Sequence, residues 1–390
     1  MQNRKLRIGV VGLRRGLTLA LQSEAAGMEV VALCDLDADH LQGAGDRFRG
    51  AVYRDYDTVL AHAMDGVIVA NYFDEHAPFA LKALAAGKHV MSETAACRTI
   101  AEGVQLIRAV ERTGLIYLFV ENYPFKAHVR EMQRRFERGE VGEFQYGECE
   151  YLHGWSPTTL RRFAPDPTHW RRRISSTAYC THSVAPIMYI TDTLPTDVSA
   201  FVVPFEDSPS SRDSAGRGFG TAAVMMIRMD NGALMKSLHG FLQGEQAPDA
   251  SWVRIHGSRG LMENLRHGDS HLVRLRQEAW AAASGGVEDS VYRPLAEQRE
   301  GTMLRTEQLE DYLVCESFAT AIRTGEPPYF DVHRGVAASI VGICGLRSVL
   351  GGSVSVEIPD LRTEAVRRRY ESDDWTGPVA AAAMHSQRTG

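Results

Sequence analysis

The first 120 residues alternate short, wholly apolar runs with longer amphipathic stretches. The runs are "LRIGVV" (6–11), "EVVALC" (29–34), "GVIVA" (66–70), "KHVM" (88–91) and "LIYLFV" (115–120). Strands apolar at every position, instead of every second one, are buried on both faces, as in a parallel sheet covered by helices. Helix-like stretches such as "DEHAPFALKALAAGK", with Gly87 as its stop, lie between them. This alternation predicts a doubly wound α/β sheet. Past residue 122 the pattern changes. A basic amphipathic helix over about 125–138 precedes "EFQYGECEYLHGW", which alternates as a half-exposed antiparallel strand does. "DVSAFVVPF", "TAAVMMIRM", "ALMKSLHGFL", "SWVRIHG" and "LMENL" continue in that manner. Two polar Gly/Ser-rich stretches, 206–218 and 282–290, read as loops, and two helices are expected near 307–323 and 334–349. The expected division is a nucleotide-binding domain over 1–122, an α+β domain with a large, open, mainly antiparallel sheet over 123–361, and a tail over 362–390.

The 390 residues are 44% apolar and 24% charged, with a net charge of −6. That balance describes a soluble globular chain and gives no basic field for nucleic acid. No run of 18 apolar residues suggests a membrane span. The start, "MQNRKLRIGVV", enters a strand directly and lacks the marks of a signal peptide. Cys34, Cys97, Cys149, Cys180, Cys315 and Cys344 are scattered without a Cys-x-x-Cys pair, and read as reduced thiols of a cytoplasmic protein. No His/Cys/carboxylate group has the spacing of a metal site.

"GVVGLRRG" sets Gly9, Gly12 and Gly16 at a strand-to-helix junction, where glycine lets the backbone turn sharply and approach a pyrophosphate. Leu13, Arg14 and Arg15 fill the turn, with Arg14 where a second fingerprint glycine is usual. Asp35 closes the second strand, placed to accept from a ribose 2′-hydroxyl and to repel a 2′-phosphate. This points to NAD; Arg14 and Arg15 could instead grip phosphate, which leaves NADP open. Asn71 and His76 follow the third run, Glu93 and Thr94 the fourth, and Glu121 and Asn122 the fifth. Ligands of such sheets bind beyond these strand ends, so all six are candidate cofactor contacts; His76 has equal claim to a structural role. Tyr123, in "VENYPF", is a candidate substrate contact.

"AYCTHSVAP" (178–186) holds Tyr179 and His182 three apart at the mouth of a helix. Ser183 as its cap would put Pro186 in the first turn, where a missing N–H costs nothing. Arginine runs at 161–162 and 171–173 flank the segment, with Trp155 and Trp170 as planes on which a sugar could stack. A charge run is often only a solvated face, yet guanidinium forks also suit anions, and Arg162, Arg171 and Arg172 are the candidates. His153 and His239, on strands, are spare candidates for proton transfer or strand-end histidines bonded to backbone.

The glycine turn, Asp35, "DGVIVANYFDEHAPFALKALAAGKHVMSE" and "VRIHGSRGLMEN" together resemble the Gfo/Idh/MocA oxidoreductase family over roughly residues 5–350. That family usually carries Glu-Lys-Pro after "KHV", where this chain has Glu93-Thr94-Ala95, and Asp-x-Gly-x-His where this chain has Ala178 through His182. "AYCTHSVAP", "VENYPF" and "GLRRG" look like its NAD-dependent glycosidase branch, of the α-N-acetylgalactosaminidase type. The resemblance implies a Rossmann domain, bound NAD, and hydrolysis through transient oxidation at sugar C3, elimination of the aglycone, addition of water and re-reduction. It also implies His182 acting on the C3 hydroxyl and Tyr179 on the C2 proton. With the arginines it suggests an anionic sugar such as a sulfoquinovoside. A net sugar dehydrogenase or epimerase is the rival reading, and an NAD-binding regulator without catalysis a third. A homo-dimer or homo-tetramer is expected from fold analogy.

Overall fold

The computed structural model describes residues 4–154, 156–163, 169–203, 221–242, 251–294 and 309–377. Contacts gather the chain into two compact units. The first comprises 1–125, 301–339 and 361–374, and the second 126–300, 340–360 and 375–390. The packing therefore divides the chain differently from the linear split at 122 and 361, because two late segments return to the first unit.

In the first unit, strands β1 (Arg7–Val11), β2 (Glu29–Cys34), β3 (Ala51–Tyr53), β4 (Gly66–Val69), β5 (His89–Glu93) and β6 (Tyr117–Val120) alternate with helices α1 (Arg15–Ala25), α2 (Ala38–Phe48), α3 (Tyr56–Leu60), α4 (His76–Ala85) and α5 (Ile100–Thr113). All strand pairs are parallel, in the order β3-β2-β1-β4-β5-β6. Ile8, Val10, Leu33, Ile68 and Met91 are fully enclosed, which explains why these strands read as unbroken apolar runs. Helix starts follow local chemistry: Asp37 accepts from the Asp39 and His40 amides, and Thr99 with Glu102 forms a capping box. The short edge strand β3 has its Val52 exposed, and so leaves no apolar run to detect.

The second unit holds α6 (Ala127–Glu137), β7 (Phe144–Gly154), α7 (Pro157–Phe163), α8 (Trp170–Arg173), α9 (Thr181–Thr191), β8 (Pro195–Val203), β9 (Ala222–Met229), β10 (Leu234–Leu242), β11 (Ser251–Gly257), β12 (Gly260–Asn264), β13 (Val273–Gln277) and β14 (Glu288–Tyr292). The chain ends with α10 (Leu309–Thr324), α11 (Val332–Leu350), β15 (Val356–Glu357) and α12 (Glu364–Tyr370). Helix α10 belongs to the first unit because Val314, Cys315, Phe318 and Ala319 complete the core around Leu19 and Ala20 of α1. Helix α12 is tied to α5 by Arg367 on Glu111 (2.8 Å) and Arg108 on Glu364 (2.7 Å), so residues expected in a tail are part of the first unit. From Gly301, the segment before α10 lies outside the described residues up to 308.

The second sheet runs β14-β13-β12-β11-β7-β10-β9-β8-β15 among the described residues. It is mainly antiparallel, with β7 and β10 paired in parallel through Ser237↔Cys149, His239↔Tyr151 and Phe241↔His153. The stretch 282–290 is not wholly a loop, since Glu288–Ser290 begin β14, where Asp289 receives Arg274 at 2.7 Å and Arg276 at 3.4 Å. The other expected loop, 206–218, lies outside the described residues. Helix α9 lies close on β7, where Gly147 leaves room: a Cβ there would meet Ile187 at 3.0 Å.

Candidate active site

Within the first unit the candidate cofactor residues gather at the carboxyl ends of β1, β2 and β4. Strand order reverses between β1 and β4, the switch point at which doubly wound sheets bind ligands. Gly12 has φ +84°, and a Cβ there would come within 2.3 Å of the Ala70 carbonyl oxygen. Only glycine lets β1 turn there. Gly9 and Gly16 serve packing: a Cβ would meet Met64 at 2.6 Å and Val10 at 2.8 Å respectively. The Leu13 amide donates to Asp35 Oδ2 (2.6 Å) and the Asp37 amide to Asp35 Oδ1 (2.9 Å), which fixes the carboxylate beside the turn. Helix α1 has no side-chain cap, its Gly16 amide donates to the Gly12 carbonyl (3.1 Å), and Arg14 at its start is exposed. Asn71 donates to Glu75 (3.3 Å), while its buried Oδ1 has no hydrogen-bond partner, an acceptor awaiting a donor. A glycine-formed cradle, a fixed carboxylate and an unused acceptor fit a dinucleotide.

Other expected contacts are joined to one another. Arg15 donates to Glu93 (2.7 Å) and, through both terminal nitrogens, to Asp311 (2.6 Å each). Asn122 also donates to Asp311 (3.3 Å). Arg15 thus knits the glycine turn to β5 and α10, and its fork is directed at carboxylates. Thr94 is buried and its amide meets Glu93 Oε2 (3.1 Å). Glu121 is fully buried and accepts from the Tyr123 amide (3.4 Å), with Tyr123 half-buried. His76 is buried, its Nδ1 3.0 Å from the Ala95 carbonyl and its Nε2 3.3 Å from the Asn71 carbonyl. Burial holds its pKa below the ordinary histidine value. It acts as a brace between the loops after β4 and β5.

The second unit assembles the proton-transfer candidates on the helix-facing side of β7 and β10. Residues two apart on a strand share a face, so Tyr151 and His153 stand beside His239 and Phe241. A 3-10 turn, Ser176–Cys180, leads straight into α9, and Tyr179 sits at the corner with φ −87° and ψ 23°. Helix α9 begins at Thr181, three residues earlier than a Ser183 cap would place it. Ser183 instead donates back to the Cys180 carbonyl (2.8 Å), and Pro186 lies inside the helix. Helix α11 holds the turn from behind: a Cβ on Gly342 would come within 2.7 Å of both Ala178 Cα and the Thr177 carbonyl oxygen.

Tyr151 is the centre of this group, and sequence reasoning passed over it. Its hydroxyl is 2.7 Å from His153 Nε2, and its ring lies 4.4 Å from that of His182 and 5.6 Å from that of Tyr179. The period-2 relation to His153 was the available signal. Tyr179 and His182 meet edge to face at 5.5 Å, and Phe241 stacks on both His153 and Tyr179 at 5.5 Å. Burial, then the neighbouring His182 and Arg171, push the His153 pKa down to about 4, so its imidazole is neutral and able to accept a proton. His239 lies beneath the group with no exposed surface, its Nδ1 2.8 Å from Ser237 Oγ. It is a core histidine, removed from any substrate. Trp170 approaches Tyr179 at 6.0 Å, and the Arg171 guanidinium lies 4.1 Å from the Trp170 ring centroid. Arg162 is exposed on α7, 5.0 Å over Phe163. Trp155 and the Arg172 side chain lie outside the described residues.

Fold and site together define an NAD-binding Rossmann protein with an appended sheet unit rich in imidazole and phenol groups. Residues 6–122 match the Gfo/Idh/MocA oxidoreductase family, NAD-binding Rossmann fold. The chain is 22% identical over 418 residues to a glycosyl hydrolase family 109 protein of Stenotrophomonas maltophilia, covering 94% of this chain and 91% of that one. It is 23% identical over 408 residues to an alpha-N-acetylgalactosaminidase of Bacteroides fragilis, covering 94% of each. In fold it is similar to levoglucosan dehydrogenase solved with NADH and L-sorbose, with a TM-score of 0.76 at 17% identity over 92% of this chain and 100% of that one. It is likewise similar to an aldose-aldose oxidoreductase of Caulobacter crescentus, with a TM-score of 0.72 at 18% identity over 91% and 100% of the two chains. Among the described residues no helix is long and apolar enough to cross a membrane.

Proposed function

We propose that the protein is an NAD-dependent glycoside hydrolase that ends each turnover with its cofactor in the starting redox state. The observation that carries this reading is the mutual contact of Tyr151, His153, Tyr179 and His182, with Thr94 where resemblance to the wider family would call for lysine. Oxidising an alcohol requires one base for one hydroxyl proton. Elimination followed by hydration moves protons at the C3 hydroxyl, at C2 and at the leaving oxygen, and so asks for several carriers. The glycine turn, Asp35 and Asn71 would hold NAD, which would supply reversible hydride acceptance. His182, its ring 4.4 Å from that of Tyr151, takes the C3 hydroxyl proton. Tyr179 takes the C2 proton, and the Tyr151–His153 pair carries the proton to and from the glycosidic oxygen and the incoming water.

The sugar is anionic. Arg171 over Trp170, next to Tyr179, supports this, because guanidinium forks suit the oxygens of a sulfonate or carboxylate. A sulfoquinovoside has that chemistry. The test is turnover in D2O. Elimination and re-addition place solvent deuterium on C2 of the released sugar; a product without deuterium at C2 would overturn the mechanism.

A further inference from the structure

The polar chain behind the proton-transfer group can be solved by counting hydrogens. His239 Nδ1 is 2.8 Å from Ser237 Oγ, Ser237 Oγ is 2.5 Å from Ser183 Oγ, and Ser183 Oγ is 2.8 Å from the Cys180 carbonyl oxygen. All three side chains are fully buried, so water cannot complete the set. Each contact needs one hydrogen, and the carbonyl has none to give. The three hydrogens must therefore come from Nδ1 and the two hydroxyls, one each. Only one arrangement satisfies this: Nδ1–H donates to Ser237, Ser237 to Ser183, and Ser183 to the Cys180 carbonyl. Burial holds the ring neutral, with its pKa pushed down to about 3, so a hydrogen on Nδ1 leaves none on Nε2, and the buried Nε2 makes no hydrogen bond.

We infer that His239 is a positioning residue, locked as its Nδ1–H tautomer, that fixes the turn carrying Tyr179 and His182 through Ser237 and Ser183. The anchor point is the carbonyl of Cys180, which lies between those two residues in the chain and closes the 3-10 turn. The ring of His239 also fills the space between β10 and that turn. Its hydrogen-bond string directs the carbonyl and so sets the angle at which α9 departs. The expected catalytic consequence rests on the reading above; the tautomer and the placement of the turn do not.

The test begins with the unmutated protein labelled with ¹⁵N-histidine. Ring nitrogen shifts and couplings should show hydrogen on Nδ1 of His239 and none on Nε2 at neutral pH; hydrogen on Nε2 would overturn the inference. Two variants then separate position from bulk. An asparagine amide nitrogen falls where Nδ1 was, whereas a glutamine nitrogen falls near Nε2. His239→Asn should keep the ring-current-shifted resonances of Tyr179 and His182. His239→Gln, and Ser237→Ala further along the string, should move them. If the glycosidase reading holds, His239→Gln lowers kcat about 10- to 100-fold with little change in KM, and His239→Asn restores most of it. Equal spectra for the Asn and Gln variants would overturn the positioning role even in a protein that hydrolyses nothing.

Discussion

A buried and a half-buried histidine make the second unit sensitive to acid. His239 is pushed down to about 3, chiefly by burial. His153 is pushed down to about 4, again chiefly by burial. In the unfolded chain both titrate near 6.5. Between the two values the unfolded state binds a proton that the folded state refuses, so stability rises with pH there. The contribution is complete above pH about 6.5 and is lost as pH falls, at roughly 1.4 kcal/mol per pH unit for each histidine. At pH 5 the loss from His239 is about 2 kcal/mol. That from His153, reached by solvent, is nearer 1 kcal/mol. Urea unfolding followed by circular dichroism at pH 7.5 and pH 5.0 measures the sum. The difference between unmutated protein and His239→Asn isolates one site. Asparagine does not titrate, so the variant should lose about 2 kcal/mol less between the two pH values, whatever its stability at pH 7.5. An equal acid loss in both proteins would refute the assignment of this sensitivity to His239.

Further outcomes follow from single contacts. Tyr151→Phe removes the hydroxyl 2.7 Å from His153 and should lower kcat about 10²- to 10⁴-fold, with NAD affinity by fluorescence titration unchanged. Gly342→Ala sets a methyl group 2.7 Å from the Ala178 Cα and should lower kcat about 10²-fold or more by moving the Tyr179 turn, with NAD affinity again unchanged. Asp35→Asn removes the charge opposing a 2′-phosphate, so the ratio of NADP to NAD dissociation constants should fall; an unchanged ratio would show that another group reads the ribose.

The first unit was largely legible because burial on both faces makes its strands continuous apolar runs, and because Gly12 and Asp35 sit at fixed places after strands. The return of α10 and α12 was not legible. Phe318 on a helix looks the same whether it packs in one domain or another, and only the core it shares with Leu19 decides. The pairing of Arg15 with Glu93 and Asp311 was hidden for the same reason, since Asp311 is 296 residues from Arg15 in the chain. In the second unit Tyr179, His182 and His153 could be named from sequence, but their meeting depends on the parallel pairing of β7 with β10, which sets Phe241 beside His153. Tyr151 was missed because an alternating strand offers no reason to single out one aromatic residue. His239 was named for its chemistry, and burial then gave it a different role.

Redox-neutral cleavage of a charged sugar is the central claim, and a single mixing experiment tests it. The purified protein is combined with the nitrophenyl glycoside of sulfoquinovose, with and without added NAD+, while nitrophenol release and absorbance at 340 nm are followed together. The predicted result is nitrophenol released over many turnovers with no accumulation of NADH. NADH rising in step with substrate loss, without nitrophenol, would contradict it.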